Sequence, residues 1–257
     1  MKFSIITPTH RRSELLQRAV NSVLQQTYKD WEIIIVNDSP QDESYFSFVA
    51  SINDPRIRYY VNDRNRGVNF SRNFALENLS ADSRWVIFLD DDDFFAPDTL
   101  KYFSELILSH SEQKWFITNR ALKNGEPLTL GAKDNTEYSY SKDYLILKRV
   151  KGDATHCIET KLITENNLRF LHHVKQGEEW FFFYQLGLHS KMYYSDHNST
   201  ISDGYDPHGG LNFRTRSFQE KYETLAKILY EASRKHLISV SFLLYIGVRA
   251  VKLIIGK

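Results

Sequence analysis

WVIFLDDDDFFAPDTL, residues 85–100, is the stretch on which the reading of the whole chain turns. An apolar run from Trp85 to Leu89 passes directly into Asp90, Asp91, Asp92 and Asp93. Such a short, continuous apolar run predicts a strand buried on both faces. Pro97 and Asp98 then open a helix whose Leu100, Phe103, Leu106 and Ile107 share one side. Carboxylates crowded at the end of a dry strand repel one another, and a divalent cation would relieve that repulsion. Mg²⁺ or Mn²⁺ suits the position, because it takes one or two carboxylates and completes its shell with water and phosphate oxygens. A solvated acidic turn is the plain alternative. A calcium loop of EF-hand type starting at Asp90 fits less well. It would put Phe95 where glycine is needed and Lys101 where a bidentate glutamate belongs.

Upstream, buried strands are expected at residues 3–7 and 31–36, and a third strand at 56–61. Helices are expected at 14–27, with Ser13 as N-cap, at 45–52 and at 70–79. The first 110 residues therefore alternate strand and helix, which predicts an open, mostly parallel sheet with helices on both faces. Ligands in such sheets bind beyond the carboxyl ends of the strands. Those ends carry Thr7-Pro8-Thr9-His10, Asn37-Asp38 and the aspartate run. No Gly-x-Gly-x-x-Gly follows the first strand and no Walker-type loop is present, so a dinucleotide site or a P-loop is not expected.

Composition sets the outer bounds. The net charge of +1 excludes a global field for nucleic acid. The single cysteine, Cys157, excludes an intrachain disulfide and a cysteine-rich zinc site, and suits a reducing compartment. The N-terminus lacks the pattern of a signal peptide, which points to the cytoplasm.

Four segments, SIITPTHRR, LQQTYKDWEIIIVNDSPQD, NRGVNFSRNFAL and FLDDDDFFAPDTL, resemble in order and spacing the nucleotide-binding half of family 2 glycosyltransferases of GT-A fold. The resemblance implies a nucleotide-sugar donor of the UDP-linked kind and a Mn²⁺ or Mg²⁺ ion. It assigns Thr7, Pro8, Thr9 and Asp38 to the nucleoside, and maps the Asn-x-Gly-x-x-x-x-Arg-Asn pattern onto Asn65, Gly67, Arg72 and Asn73. Arg72 would approach the base or the diphosphate. Asp92 would hold the metal directly, with Asp90 and Asp91 nearer the ribose and the metal waters. Asp93 is left to supporting or helix-capping contacts.

Inverting transfer also needs a general base for the acceptor hydroxyl. Gly177-Glu178-Glu179-Trp180 opens an apolar helix expected within 174–188, and the resemblance places the base at Glu179. Both glutamates would equally suit a helix N-terminus with no catalytic part. In the acceptor half, His156 and Glu178 are candidate sugar contacts. A glycine-rich loop carrying His208, Arg214 and Arg216 is a candidate lid over the diphosphate. His156 is also read as a structural histidine, Cys157 as a buried small residue, and the loop as a plain linker. Residues 195–217 have loop composition.

The organisation expected is a nucleotide-sugar half (1–110), an acceptor half with its loop (111–217) and a C-terminal helical extension (218–257). Residues 237–255 are strongly apolar, interrupted by Arg249 and Lys252. They suit a helix lying on an anionic leaflet, or one packed on the domain or on a second subunit of a homo-oligomer. The acceptor class implied is a glycan or lipid-linked sugar of a bacterial surface polysaccharide. A catalytically silent binding module and a nucleotidyltransferase are the alternative functions.

Overall fold

The computed structural model describes residues 1–174, 177–203 and 216–255. A nine-stranded sheet runs through it. β1 (Lys2–Thr9), β2 (Trp31–Asn37), β3 (Ile57–Val61) and β4 (Ser83–Phe88) are parallel, side by side in the order β3-β2-β1-β4. The helices α1 (Ser13–Leu24), α2 (Ser44–Ser51) and α3 (Val68–Glu77) connect them, as the alternating pattern predicts. Beyond β4 the sheet is mixed. After β5 (Asp93–Phe95) and α4 (Thr99–Ser109) come β6 (Trp115–Leu122), β7 (Thr136–Tyr138), β8 (Ala154–Glu159) and the short α5 (Thr160–Glu165). β8 runs antiparallel between β4 and β6, and β9 (Met192–Ser202) lies parallel to β6, with β5 and β7 antiparallel along it. The expected halves on either side of residue 110 thus share one sheet.

The period of two along each strand divides the core into two layers. Ile33 and Ile35 of β2 pack with Leu16, Val20 and Val23 of α1 and with Leu100 and Phe103 of α4. Ile34 and Val36 face the other way, into a layer that includes Trp115, Ile158, Phe181 and Phe182. That second layer also takes Ile228 of α7 (Phe218–Arg234) and Phe242 and Ile246 of α8 (Val240–Ile254). Each such side chain contributes about 1.5–3 kcal/mol by leaving water, so the C-terminal helices are part of the core.

Two boundaries differ from expectation. Ser13 is the first helical residue of α1, and Arg12 stands at the N-cap with no side-chain cap, its guanidinium drawn to Asp91 and Asp92. α6 (Glu179–Gly187) opens at the expected glutamates, because Gly177 and Glu178 have φ of 74° and 66° and cannot belong to a right-handed helix. Residues 195–202, expected as loop, belong to β9. Their polar side chains are paired across the sheet, with Asn119 donating to Asp196 at 2.7 Å and Thr118 to Ser199 at 2.7 Å.

His156 lies in an aromatic layer, its ring stacked on Phe183 at 4.0 Å between centroids. Trp115 Nε1 can only donate, and it reaches His156 Nδ1 at 3.1 Å, so the ring proton sits on Nε2. Burial pushes the imidazole down to about 3. The unfolded chain binds this proton below about pH 6.5 and the folded chain does not. Stability should therefore fall as pH drops from there towards 3, by at most about 1.4 kcal/mol per pH unit. Melting curves of wild type and His156→Asn between pH 4 and 7.5 should diverge as pH falls. Parallel curves would contradict this assignment.

Candidate active site

The parallel strands bring their carboxyl ends to one edge. At the end of β1, Thr9 Oγ1 donates to Asp91 Oδ2 at 2.7 Å and also contacts the Tyr45 hydroxyl at 2.8 Å. Thr7 does not reach that edge. It lies two residues back from the tip, fully buried, and its Oγ1 has no hydrogen-bond partner among the described residues. Pro8 is likewise buried within the strand, and His10 is the exposed residue of the tip.

Asp38 follows β2 and is buried under the loop that leads into α3. Its Oδ1 accepts from Asn62 Nδ2 at 2.8 Å and from the Arg66 amide at 2.7 Å, and its Oδ2 from the Gly67 amide at 2.7 Å. The carboxylate therefore fixes the 62–67 loop. Gly67 has φ of 89°, in the region that favours glycine, and the tight approach of its amide to Asp38 depends on that turn.

The aspartate run divides its side chains. Asp91 turns back into the fold, to Thr9 and to Arg12 at 3.3 Å. Asp90, Asp92 and Asp93 converge, each offering an oxygen within 4.8 Å of the others. The Asp90 and Asp92 side chains are 39% and 41% exposed, so they face the cleft, whereas Asp93 is buried at 4%. Asp93, expected in a supporting or helix-capping place, stands within the converging set. The turn closes through the Asp93 amide donating to the Asp90 carbonyl at 3.1 Å.

Three arginines from distant parts of the chain meet these acids. Arg12 reaches Asp92 at 2.8 Å, Arg72 reaches Asp90 at 2.7 Å and Arg120 of β6 reaches Asp93 at 2.9 Å. Arg18 donates to the Asp92 carbonyl at 2.5 Å. Burial acts to raise Asp90, but Arg72, Arg120 and Arg12 outweigh it and hold this carboxyl below its ordinary range. Asp91 is raised to about 7 by burial, with Asp92 and Asp90 adding to the rise against Thr9 and Arg12. Asp93 is likewise raised to about 7, by burial and by Asp90 and Asp92 against Arg120. Even with three guanidinium partners the four acids do not readily ionise together. A converging set of hard oxygen donors in that condition fits a Mg²⁺ or Mn²⁺ ion.

Arg72 is buried and joins two parts of the cleft. One nitrogen reaches Asp90 and the other reaches Glu179 Oε1 at 3.1 Å. Its expected approach to base or diphosphate is taken up here by two carboxylates. Glu179 is the first residue of α6, with its side chain 38% exposed. Among the described residues Arg72 is its hydrogen-bond partner, which leaves the second oxygen open to the cleft.

Glu178 differs sharply from its neighbour. Its carboxylate is buried, accepting from Trp180 Nε1 at 2.5 Å, from Arg249 of α8 at 2.5 and 2.9 Å, and from Arg216 at 3.2 Å. Burial would raise it, yet Arg249, Trp180 and Arg216 hold it below the usual glutamate range. As placed, it makes no open contact for an acceptor. His208 and Arg214 lie outside the described residues. Asp203, before that stretch, is paired with Arg18 and with Lys123 at 2.7 Å. Sequence reasoning missed Arg12, Arg120 and Arg249 as partners of the acids. Only the Arg11-Arg12 pair directly after β1 gave a local signal.

The sequence model of Glycosyl transferase family 2 matches residues 4–163. The chain is 41% identical over 111 residues to the putative colanic acid biosynthesis glycosyl transferase WcaA of Escherichia coli, covering 43% of this chain and 38% of that protein. It is 32% identical over 108 residues to the E. coli protein WfgD, described as a UDP-Glc:alpha-D-GlcNAc-diphosphoundecaprenol beta-1,3-glucosyltransferase, covering 42% of each. The matches thus span about two fifths of these relatives' length. Among solved structures, S. aureus TarS in complex with UDP-GlcNAc superposes with a TM-score of 0.77 at 22% identity, over 95% of this chain and 72% of that one. A mannosyltransferase, PcManGT from Pyrobaculum calidifontis in complex with GDP-Man and Mn²⁺, superposes with a TM-score of 0.62 at 13% identity, over 98% of this chain and 69% of that one. These likenesses agree with the GT-A sheet and its C-terminal helical extension. With more than half of its length matched by the family's sequence model, the chain belongs to Glycosyl transferase family 2.

Proposed function

We propose that the chain is an inverting glycosyltransferase that moves a sugar from a UDP donor to a hydroxyl of a glycan or lipid-linked acceptor. One observation carries this reading. The Arg72 guanidinium spans Asp90 of the acidic cluster and Glu179, so a partly open carboxylate faces the place where a nucleoside diphosphate would depart. Glu179 takes the proton of the acceptor hydroxyl. That oxygen then bonds to the anomeric carbon from the face opposite the diphosphate, and the bond from that carbon to the diphosphate oxygen breaks, its electron pair leaving with UDP. Asp90, Asp92 and Asp93 would hold Mn²⁺ or Mg²⁺, which supplies charge stabilisation to the leaving diphosphate. Arg12 on Asp92, Arg72 on Asp90 and Arg120 on Asp93 would keep the three carboxylates aligned. Support for the donor and acceptor classes comes from the relatives: WfgD is named for UDP-Glc and a diphosphoundecaprenol-linked sugar, and TarS is solved with UDP-GlcNAc. The test is UDP release from UDP-glucose or UDP-GlcNAc with Mn²⁺, with and without a lipid-diphosphate-linked GlcNAc analogue. Release that needs metal and rises with the acceptor is expected. Pyrophosphate release from a nucleoside triphosphate instead would overturn the reading.

We further propose that α8 rests on an anionic lipid surface. No helix among the described residues is long and apolar enough to cross a membrane. α8 nevertheless leaves Val240, Leu244, Val248, Val251 and Ile254 more than half exposed. The segment Tyr140–Ile146 packs on α8, leaving Ile146 and Leu147 exposed, and Lys148 lies near Lys252. Neither 144–151 nor 237–255 contains an acidic residue, so the face complements a negative leaflet. Arg249 is not part of this face, since it turns inward to Glu178. Co-sedimentation with vesicles containing anionic lipid should be lost in Leu244→Glu/Val248→Glu and weakened by salt. A concentration-dependent dimer with no vesicle binding would replace the membrane by a second subunit.

A further inference from the structure

We infer that Arg249, on the last helix of the chain, is a positioning residue for Glu179, acting through Glu178. The inference rests on the assignment of Glu179 as the base and adds the element that orients it.

Glu179 is the first residue of α6, a helix of nine residues, so its direction is set by the residue before it. That residue, Glu178, sits at φ 66° and ψ 22°, a left-handed conformation unfavourable for a side chain of this kind. It persists only if its surroundings over-determine it. They do so through the carboxylate, which is 2% exposed and is gripped by two nitrogens of Arg249 at 2.5 and 2.9 Å. Arg216 adds a bond at 3.2 Å from the far side. A Cβ at Gly177 would lie 3.3 Å from the Arg216 guanidinium, so the glycine leaves room for that second cation. Trp180 Nε1 closes the set at 2.5 Å, and Arg249 also lies over the Trp180 ring, 5.3 Å from its centroid. The base is thereby suspended between two guanidinium groups. Arg72 holds its carboxylate from the side of the acidic cluster, and Arg249 fixes its backbone from the side of α8.

A purely structural role for Arg249 would be to fasten α8. The two roles predict different results. Arg249→Met leaves a buried carboxylate short of its main partner, so residue 178 should relax and the start of α6 should shift. Hydrogen exchange on the full chain reads this without any substrate. Amides of 179–183, including the Phe181 amide that bonds the Glu178 carbonyl at 3.0 Å, should exchange at least ten-fold faster, with β1, β2 and β4 unchanged. Ile246→Ala is the comparison, because it loosens the packing of α8 without touching Glu178. It should lower the melting temperature while leaving α6 protected. In turnover of UDP-glucose or UDP-GlcNAc with Mn²⁺, Arg249→Met should lower kcat by roughly 10²-fold, the cost of a base displaced by about 1 Å, with the donor KM unchanged. Arg249→Lys should restore part of the loss. Unaltered exchange at 179–183 in Arg249→Met, or an equal effect in Ile246→Ala, would overturn the inference. Full transfer by Glu179→Gln would instead overturn the base assignment alone, and the exchange difference would still report the contact between Arg249 and Glu178.

Discussion

Glu179→Gln is expected to bind UDP and Mn²⁺ like the wild type and to lose roughly 10²–10⁴-fold in transfer rate, the usual worth of a general base. The reasoning is geometric. Glutamine keeps the length of the side chain and can still accept from Arg72, which bonds Glu179 Oε1 at 3.1 Å. The cleft should therefore keep its shape while losing the group that takes the acceptor proton. Slow donor hydrolysis to water should fall with transfer, because water needs the same base. Glu179→Asp is a sharper version of the test. It keeps the charge but shortens the arm by one methylene, so activity should fall between wild type and glutamine. A glutamine variant with undiminished transfer would move the base elsewhere.

Asp92→Asn should have the second large effect, with opposite signs in two measurements. Asp92 is the most exposed member of the converging acids, and removing its charge lessens the repulsion that raises Asp91 and Asp93. The melting temperature without metal should hold or rise. The stabilisation that Mn²⁺ and UDP add should disappear, a contribution of about 2.7 kcal/mol when ligand stands at a hundred times its Kd. Turnover should be lost with it. Asp93→Asn should share the loss of metal response, but its buried bond to Arg120 makes a fall in stability expected too. Melting curves of the two variants with and without Mn²⁺ and UDP separate these outcomes. A metal response retained in Asp92→Asn would remove Asp92 from the donor set.

The parallel half of the fold was legible because β1 and β2 are buried almost throughout and β4 runs into the acids, with only β3 half-buried. Trp85–Leu89 leads into acids with no intervening turn signal, so the position of the site at a strand end follows from the sequence. The division of labour within the run was not legible. Which carboxylate turns back to Thr9 and which joins the converging set depends on the tight turn from Asp90 to Asp93 and on where Arg12 and Arg120 arrive. Arg120 comes from a strand whose pairing no local pattern discloses. β9 was hidden because its core-facing positions in 195–202 are serine and threonine, satisfied by partners such as Thr118 and Thr155. Arg249 misled for a related reason. A cation interrupting an apolar tail suits a headgroup as well as a buried carboxylate, and its partner Glu178 lies 71 residues earlier. Thr7 shares the strand face of Thr9 but sits two residues back from the tip, where it is fully buried.

The proposed activity requires that metal and nucleotide bind together at the acidic strand tip. Calorimetric titration of UDP into the protein tests this directly, with no need to know the sugar or the acceptor. UDP should bind in the presence of Mn²⁺, at least ten-fold more weakly with EDTA or in Asp92→Asn, and with unchanged affinity in Glu179→Gln. UDP binding equally tight with EDTA and in Asp92→Asn would contradict the account.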